Sequence, residues 1–273
     1  MLAVVHIHKT AGTTLAGMLK HANGARHCHV YAEDPAAPYF SAEHLRRMKA
    51  RFYPRLNSIL GHDVRVYSDL EGVAPDIKWI TFLRNPIART ASHYQYDLQR
   101  GGVDLPFEEW IIHEAVRDRQ TRIIAGPDGT AEQATELLGR FSFVGLTEQF
   151  DESLVMLKRK VGLRDIRNAS KWVAPSNDVK KRLLADPEAV AMLESVNRED
   201  LALYDHLLAE IYPKQRFEYG QGLDADVSWF RRSNHTMTVA RMYRSPRYLA
   251  YLAKWRLAYL PWVERRRRQA VSA

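Results

Sequence analysis

The sequence predicts an α/β fold of three layers, a mostly parallel central sheet flanked by helices. Two observations predict it. Largely apolar runs stand at residues 2–7, 78–83 and 141–146, each the length of a strand buried on both faces. Helical periods follow: 13–22 after the first run, from Ile87 after the second, and 151–161 after the third, where Leu154, Leu157 and Val161 share a face. Strands that alternate with helices pair in parallel. The chain has 273 residues, 46% hydrophobic and 10% aromatic, enough to bury a core of that architecture.

The first strand runs into His8-Lys9-Thr10-Ala11-Gly12-Thr13-Thr14. A strand, a loop of small residues and a helix start make an anion cradle, because backbone N–H groups face the ligand and the helix dipole favours negative charge. Lys9 adds an ammonium, and Thr10, Thr13 and Thr14 add hydroxyl donors. The arrangement is P-loop-like, yet it departs from the nucleotide-binding P-loop G-x-x-x-x-G-K-(S/T). It has one glycine, Gly12, and the lysine precedes it. No Gly-Lys-Ser/Thr places a hydroxyl to hold magnesium, which argues against a kinase that uses a triphosphate.

Residues 58–64, SILGHDV, read as a short apolar run ended by Gly61-His62. Histidine is the commonest base near neutral pH, and of the eleven here His62 is the best placed. His6 lies inside the first strand, His21, His27 and His29 lie on or after the first helix, and His93 is the rival. The strand at 78–83 stops at Arg84-Asn85-Pro86, and Pro86 suits the first turn of a helix. Arg84 falls at the strand end, with Arg89 and Ser92 on the helix that follows. Ligands of open α/β sheets sit at the carboxyl ends of strands, so Lys9 and Arg84 are expected to form one site. Arg84 offers a bidentate fork that suits phosphate. A further helical stretch is expected at 190–211.

Composition narrows the function. The net charge is +8, but from Arg231 onward eleven Lys and Arg face the single Glu264, a surplus of ten, which leaves residues 1–230 at −2. The basic character belongs to the tail, so a nucleic-acid partner is not expected. In that tail Tyr248, Leu252, Trp255 and Tyr259 fall at helical spacing among Arg247, Lys254 and Arg256. Such a helix suits an anionic membrane surface or an acidic polysaccharide, or packs on the main domain. The expected organisation is a catalytic domain at 1–222 and a basic amphipathic helical extension at 223–273. The single Cys28 excludes an internal disulfide. No Cys/His set has zinc spacing, no window of about 18 apolar residues spans a membrane, and the N-terminus lacks a basic signal-peptide region. A cytoplasmic protein is expected, with no metal.

Residues 6–15, HIHKTAGTTL, resemble the 5′-phosphosulfate loop of sulfotransferases, commonly H-I-P-K-T-(A/G)-G-T-(S/T)-L. His8 departs from the usual proline. Residues 80–96, ITFLRNPIARTASHYQY, resemble the family's 3′-phosphate segment, a strand followed by L-R-(D/N)-P-x-x-R-x-x-S-x-Y. Residues 118–126, DRQTRIIAG, are similar to N-x-Q-T-R-x-L-x-G, and 143–154, FVGLTEQFDESL, to F-V-G-(V/L)-T-E-x-(F/L)-D-E-S-L. The relatives implied are the carbohydrate sulfotransferases of the heparan sulfate 2-O, 6-O and chondroitin type, over residues 4–212. The resemblance implies a sulfuryl transfer from 3′-phosphoadenylyl sulfate (PAPS) to a carbohydrate hydroxyl. It implies that Lys9, Thr10, Ala11, Gly12, Thr13 and Thr14 hold the donor's 5′ side, and that Arg84 and Ser92 grip its 3′-phosphate. It implies His62 as the base, in a similar strand-end Gly-His segment, and Lys9 as donor to the leaving oxygen. Arg122 is a candidate for cofactor or acceptor binding, and Glu148 for orienting another group. The animal relatives are anchored in the Golgi; this sequence implies a bacterial cytoplasmic enzyme instead. A non-catalytic glycan- or membrane-binding protein is the rival outside enzymes.

Overall fold

Five strands form one sheet in the computed structural model of the chain: Leu2–Val5 (β1), His27–His29 (β2), Ser58–Gly61 (β3), Lys78–Leu83 (β4) and Phe141–Leu146 (β5). Their order is β2-β3-β1-β4-β5, and every pairing is parallel. The structure describes residues 1–34, 39–169 and 176–271. β1 and β4 are buried almost throughout, which is why both read as largely apolar runs. Helix α1 (Gly12–Asn23), α2 (Ala42–Arg51) and the helix Phe150–Val161 pack into the same core as the strands. Helix α3 (Pro86–Tyr96) joins a second cluster through Ala91 and Tyr94, with Trp110, Ile111 and Leu193. Among the described residues no helix is long and apolar enough to cross a membrane.

The topology makes a crevice. From β1 the chain builds β2 and β3 on one side, then crosses over to build β4 and β5 on the other. Register does the rest: Val5 lies beside Gly61 of β3 and Thr81 of β4. The residues that follow these strand ends therefore emerge together, and they are His6 to Lys9, His62 and Arg84. That is where ligands of doubly wound sheets sit.

The structure differs from the sequence reading in three places. β1 ends at Val5, and Ile7 is buried as part of the loop. His27–His29 is an edge strand; three residues with two histidines carry no readable alternation. The stretch expected as one helix at 190–211 is broken at Asn197, between Pro187–Ser195 and Arg198–His206. Fully buried Asn197 donates to the Leu193 carbonyl at 2.7 Å and accepts from the Thr90 hydroxyl at 3.0 Å.

For the tail, the structure shows the last of the three arrangements the sequence left open: its aromatic stripe packs on the main domain. Tyr248, Tyr251, Tyr259 and Val263 are buried, and Val227, Phe230, Tyr259 and Val263 belong to the sheet's own core. Trp255 Nε1 donates to the His29 carbonyl at 2.8 Å and Lys254 Nζ to that of Ala25 at 3.2 Å. Arg267 Nε donates to the Ala32 carbonyl at 2.8 Å, and the Tyr31 N–H reaches the Tyr259 hydroxyl at 3.4 Å. These helices cover the outer edge of β2, the kind of edge that proteins otherwise blunt with charge or proline. The helix face left to solvent carries Arg256, Leu257 and most of the arginine run.

One buried network fixes the break at Asn197. Asp118 Oδ1 accepts the N–H groups of Glu199 and Asp200, at 2.9 and 3.1 Å. Asp200 in return accepts those of Gln120 and Thr121, at 3.0 and 2.7 Å, so two helix starts cap each other. Arg89 is fully buried and lies 4.0 Å from Asp200. Burial lowers the Arg89 guanidinium to about 10, against the opposing pull of Asp200. Asp200→Ala is expected to cost about 3–5 kcal/mol, because it orphans two buried N–H groups and a buried cation. Urea unfolding checks this, and Asp200→Asn, which keeps one acceptor, is expected to lose less.

Candidate active site

The loop between β1 and α1 holds two residues in the left-handed region, Lys9 at φ 68° and Ala11 at φ 60°. Neither is glycine, so the loop stores strain that sites of function commonly hold. Successive turns of this kind form backbone concavities that take anions. α1 starts without a side-chain cap, so the positive end of its dipole borders the loop unshielded. The Thr10 hydroxyl donates to the Ile7 carbonyl at 3.0 Å and is buried. The Thr10 hydroxyl therefore braces the loop from behind. Gly12 is required here: a Cβ at this position would collide with the His6 ring.

Arg84 is set from three sides. Its backbone N–H and C=O are both held by the Gln120 side-chain amide, at 3.0 and 2.9 Å. Next to it, Asn85 N–H donates to Glu148 Oε1 at 2.9 Å, and Asn85 caps α3 through Ala88 N–H at 2.9 Å. Glu148 thus holds the backbone next to Arg84. The Arg84 guanidinium donates to the Lys9 carbonyl at 2.9 Å and ties the two anion motifs together.

A cleft of about 950 Å³ opens over these strand ends. It brings together Lys9, Ala11, Gly12, Thr13, Thr14, His62, Arg84 and Ser92 of the expected set. Arg122 is not among the lining residues. It is held by Glu114 at 2.7 Å and by the Pro127 carbonyl at 2.6 Å, because its helix turns that side away from the strand ends. The structure thus places Arg122 outside the cleft that the other expected site residues line. Lys9, Arg84 and Arg100 face one acid, Asp97, so the cleft is cationic. Lys9 Nζ lies 4.3 Å from the centre of the Tyr96 ring. Burial first, then the nearby Arg84, lowers the Lys9 ammonium from its ordinary value. Burial likewise pushes the Asp97 carboxyl up.

The floor of the cleft is a column of imidazoles that sequence reasoning had treated one at a time. His62 stacks on His8 with centroids 3.7 Å apart and planes 6° from parallel. Its other face meets His6 at 4.0 Å and 23°. His93 follows His8 at 6.0 Å. Burial holds His8 down to about 2 and His93 to about 3, and puts His6 well below the histidine range, so these rings are neutral. His62 is also lowered, by burial first, against the hydrogen bond to His6 and the charge of Asp63. Its Nδ1–H donates to the His6 carbonyl at 3.0 Å, which leaves Nε2 as the proton-accepting nitrogen. Thr147 was also missed. It lines the cleft, its buried hydroxyl has no hydrogen-bond partner among the described residues, and the Thr-Glu pair of its motif was the signal available. Among the described residues no group of three or more His, Cys, Asp or Glu is arranged to hold a metal ion.

No protein-family model matches the chain, and no curated protein matches it. Among solved structures it is similar to a sulfotransferase from Alicyclobacillus acidocaldarius, at 17% identity and a TM-score of 0.39, over 75% of this chain and 98% of that one. That likeness is remote.

Proposed function

We propose that the protein transfers a sulfuryl group from PAPS to a hydroxyl of a carbohydrate acceptor. The observation that carries this reading is one cleft that unites the Lys9 loop, the Arg84–Ser92 motif and His62 from three neighbouring strand ends. The donor set fits PAPS: an ammonium, a guanidinium, Thr13, Thr14, Ser92 and the Thr147 hydroxyl all offer protons to anionic oxygens. PAPS supplies a sulfuryl group attached to a phosphate leaving group. Arg84 and Ser92 hold its 3′-phosphate, and the loop from Lys9 to Thr14 holds the 5′ side. His62 Nε2 takes the acceptor's hydroxyl proton as the acceptor oxygen bonds to sulfur. Lys9 donates to the bridging oxygen, which keeps the electron pair of the breaking sulfur–oxygen bond. Charge that grows only in the transition state is thereby stabilised, which raises rate more than affinity.

The kinase alternative loses its metal-binding hydroxyl, since Thr10, the residue after the lysine, is turned onto the Ile7 carbonyl. The carbohydrate acceptor rests on the motif resemblance alone. Calorimetric titration with adenosine 3′,5′-bisphosphate, beside ATP with magnesium, tests the reading. Binding of the bisphosphate alone is expected. Arg84→Ala is expected to weaken it by about one to two orders of magnitude, the loss of charge-assisted hydrogen bonds to phosphate. Binding of ATP with magnesium alone overturns the proposal.

A further inference from the structure

We propose that His8 is a positioning residue for the base: its ring, laid flat on His62, holds the His62 imidazole so that Nε2 stays aimed at the acceptor hydroxyl. The chemistry of this step rests on the sulfuryl-transfer reading above; the geometry rests on the histidine column. One hydrogen bond, from Nδ1 to the His6 carbonyl, fixes a single edge of the His62 ring. The torsion that turns an imidazole about its bond to Cβ has a broad well, so one edge contact leaves it room to swing. The column removes that room. His6 covers one face at 4.0 Å, and His8 covers the other at 3.7 Å and 6°. His6 in turn is backed by Gly12, where no larger residue fits. The first face is thus set by a residue whose N–H donates to the Gly61 carbonyl of β3 at 3.3 Å, while the second depends on a loop residue whose neighbour Lys9 is held at a left-handed φ of 68°.

His8 acts through its plane and not through a proton. The Nδ1 of His8 is buried with no hydrogen-bond partner among the described residues, and stacked rings pass no hydrogen bond between them. The charged and titratable groups around His62 are His6 and His8 from β1 and its loop, and Asp63 and Arg65 on its own segment. His29 approaches from β2 and Arg119 from the helix Arg119–Ala125. Taking away the His8 ring lets water reach the His62 face. That relieves the burial that disfavours the imidazolium, so the titration midpoint of His62 rises.

The test compares His8→Ala, which removes the plane, with His8→Phe, which keeps it without a titratable nitrogen. The first readout is ring nitrogen NMR of protein labelled with 15N-histidine, with the His62 signals assigned by their loss in His62→Gln. Wild type and His8→Phe are expected to show one His62 tautomer, protonated at Nδ1, with a low titration midpoint. His8→Ala is expected to show mixed tautomers and a higher midpoint. The second readout is kinetic: kcat is expected to fall roughly three- to tenfold in His8→Ala, at unchanged KM for PAPS, and to return within about twofold in His8→Phe. An unchanged His62 spectrum in His8→Ala overturns the proposal, as does His8→Phe disturbed as much as His8→Ala. The spectra need no turnover, so they decide the role of His8 even where the sulfuryl-transfer reading fails.

Discussion

Lys9→Ala is expected to lower kcat by about two to three orders of magnitude while affinity for adenosine 3′,5′-bisphosphate changes far less. The reason is where Lys9 is anchored. Its carbonyl is held by Arg84 and its backbone already sits at φ 68°, so alanine inherits the loop intact. What disappears is the ammonium, which rests 4.3 Å from the centre of the Tyr96 ring. A long side chain parked on an aromatic face can leave it as negative charge builds on the bridging oxygen. Removal of such a donor costs on the order of 3 kcal/mol in the transition state and little in the ground state. Single-turnover measurement with labelled PAPS, beside calorimetry with the bisphosphate, separates the two. A variant that turns over within tenfold of wild type removes Lys9 from the chemistry.

His62→Ala is expected to lose about two to four orders of magnitude in kcat, again with nucleotide binding kept. The pH dependence follows from burial. A buried imidazole resists its charged form, so the His62 midpoint lies below the ordinary 6.5. The base is therefore neutral in a larger fraction at pH 7 than an ordinary imidazole, and activity falls as pH drops through that lowered midpoint. In the wild type the acidic limb of the kcat profile is expected below 6.5, and in His62→Ala that limb is expected to vanish. A limb that persists in the variant points to His93 as the base, the other cleft histidine with a carboxylate, Asp97, 3.6 Å away.

Much of this site was legible because its signals are local. Buried parallel strands write themselves as apolar runs, and 78–83 and 141–146 match β4 and β5 residue for residue. Lys9 and Arg84 follow such strands directly, so their meeting was derivable from topology rules alone. What was hidden depends on register and on distance along the chain. His6, His8 and His62 stack only because Val5 pairs with Gly61, and no single segment contains that fact. The mutual capping of Asp118 and Asp200 joins residues 82 apart and has no local signature. Arg122 sits in a motif that was recognised, but a motif does not say which side of a short helix faces the ligand. The tail's period was legible too; what its apolar stripe packs on was not.

That packing sets an order of events during synthesis. β2 is an outer strand, and the groups that shield its free side come from far down the chain, with 226 residues between His29 and Trp255. Contacts of such separation form late and slowly. Ala32, held by Arg267, also donates its N–H to Asp63 at 2.7 Å, and Asp63 is next to His62. While residues 246–267 are still on the ribosome, β2, the neighbour of the strand that leads into His62, has a bare edge and its loop lacks an anchor. A nascent chain released early would therefore present a sticky strand to its neighbours before it could present a working base to a substrate.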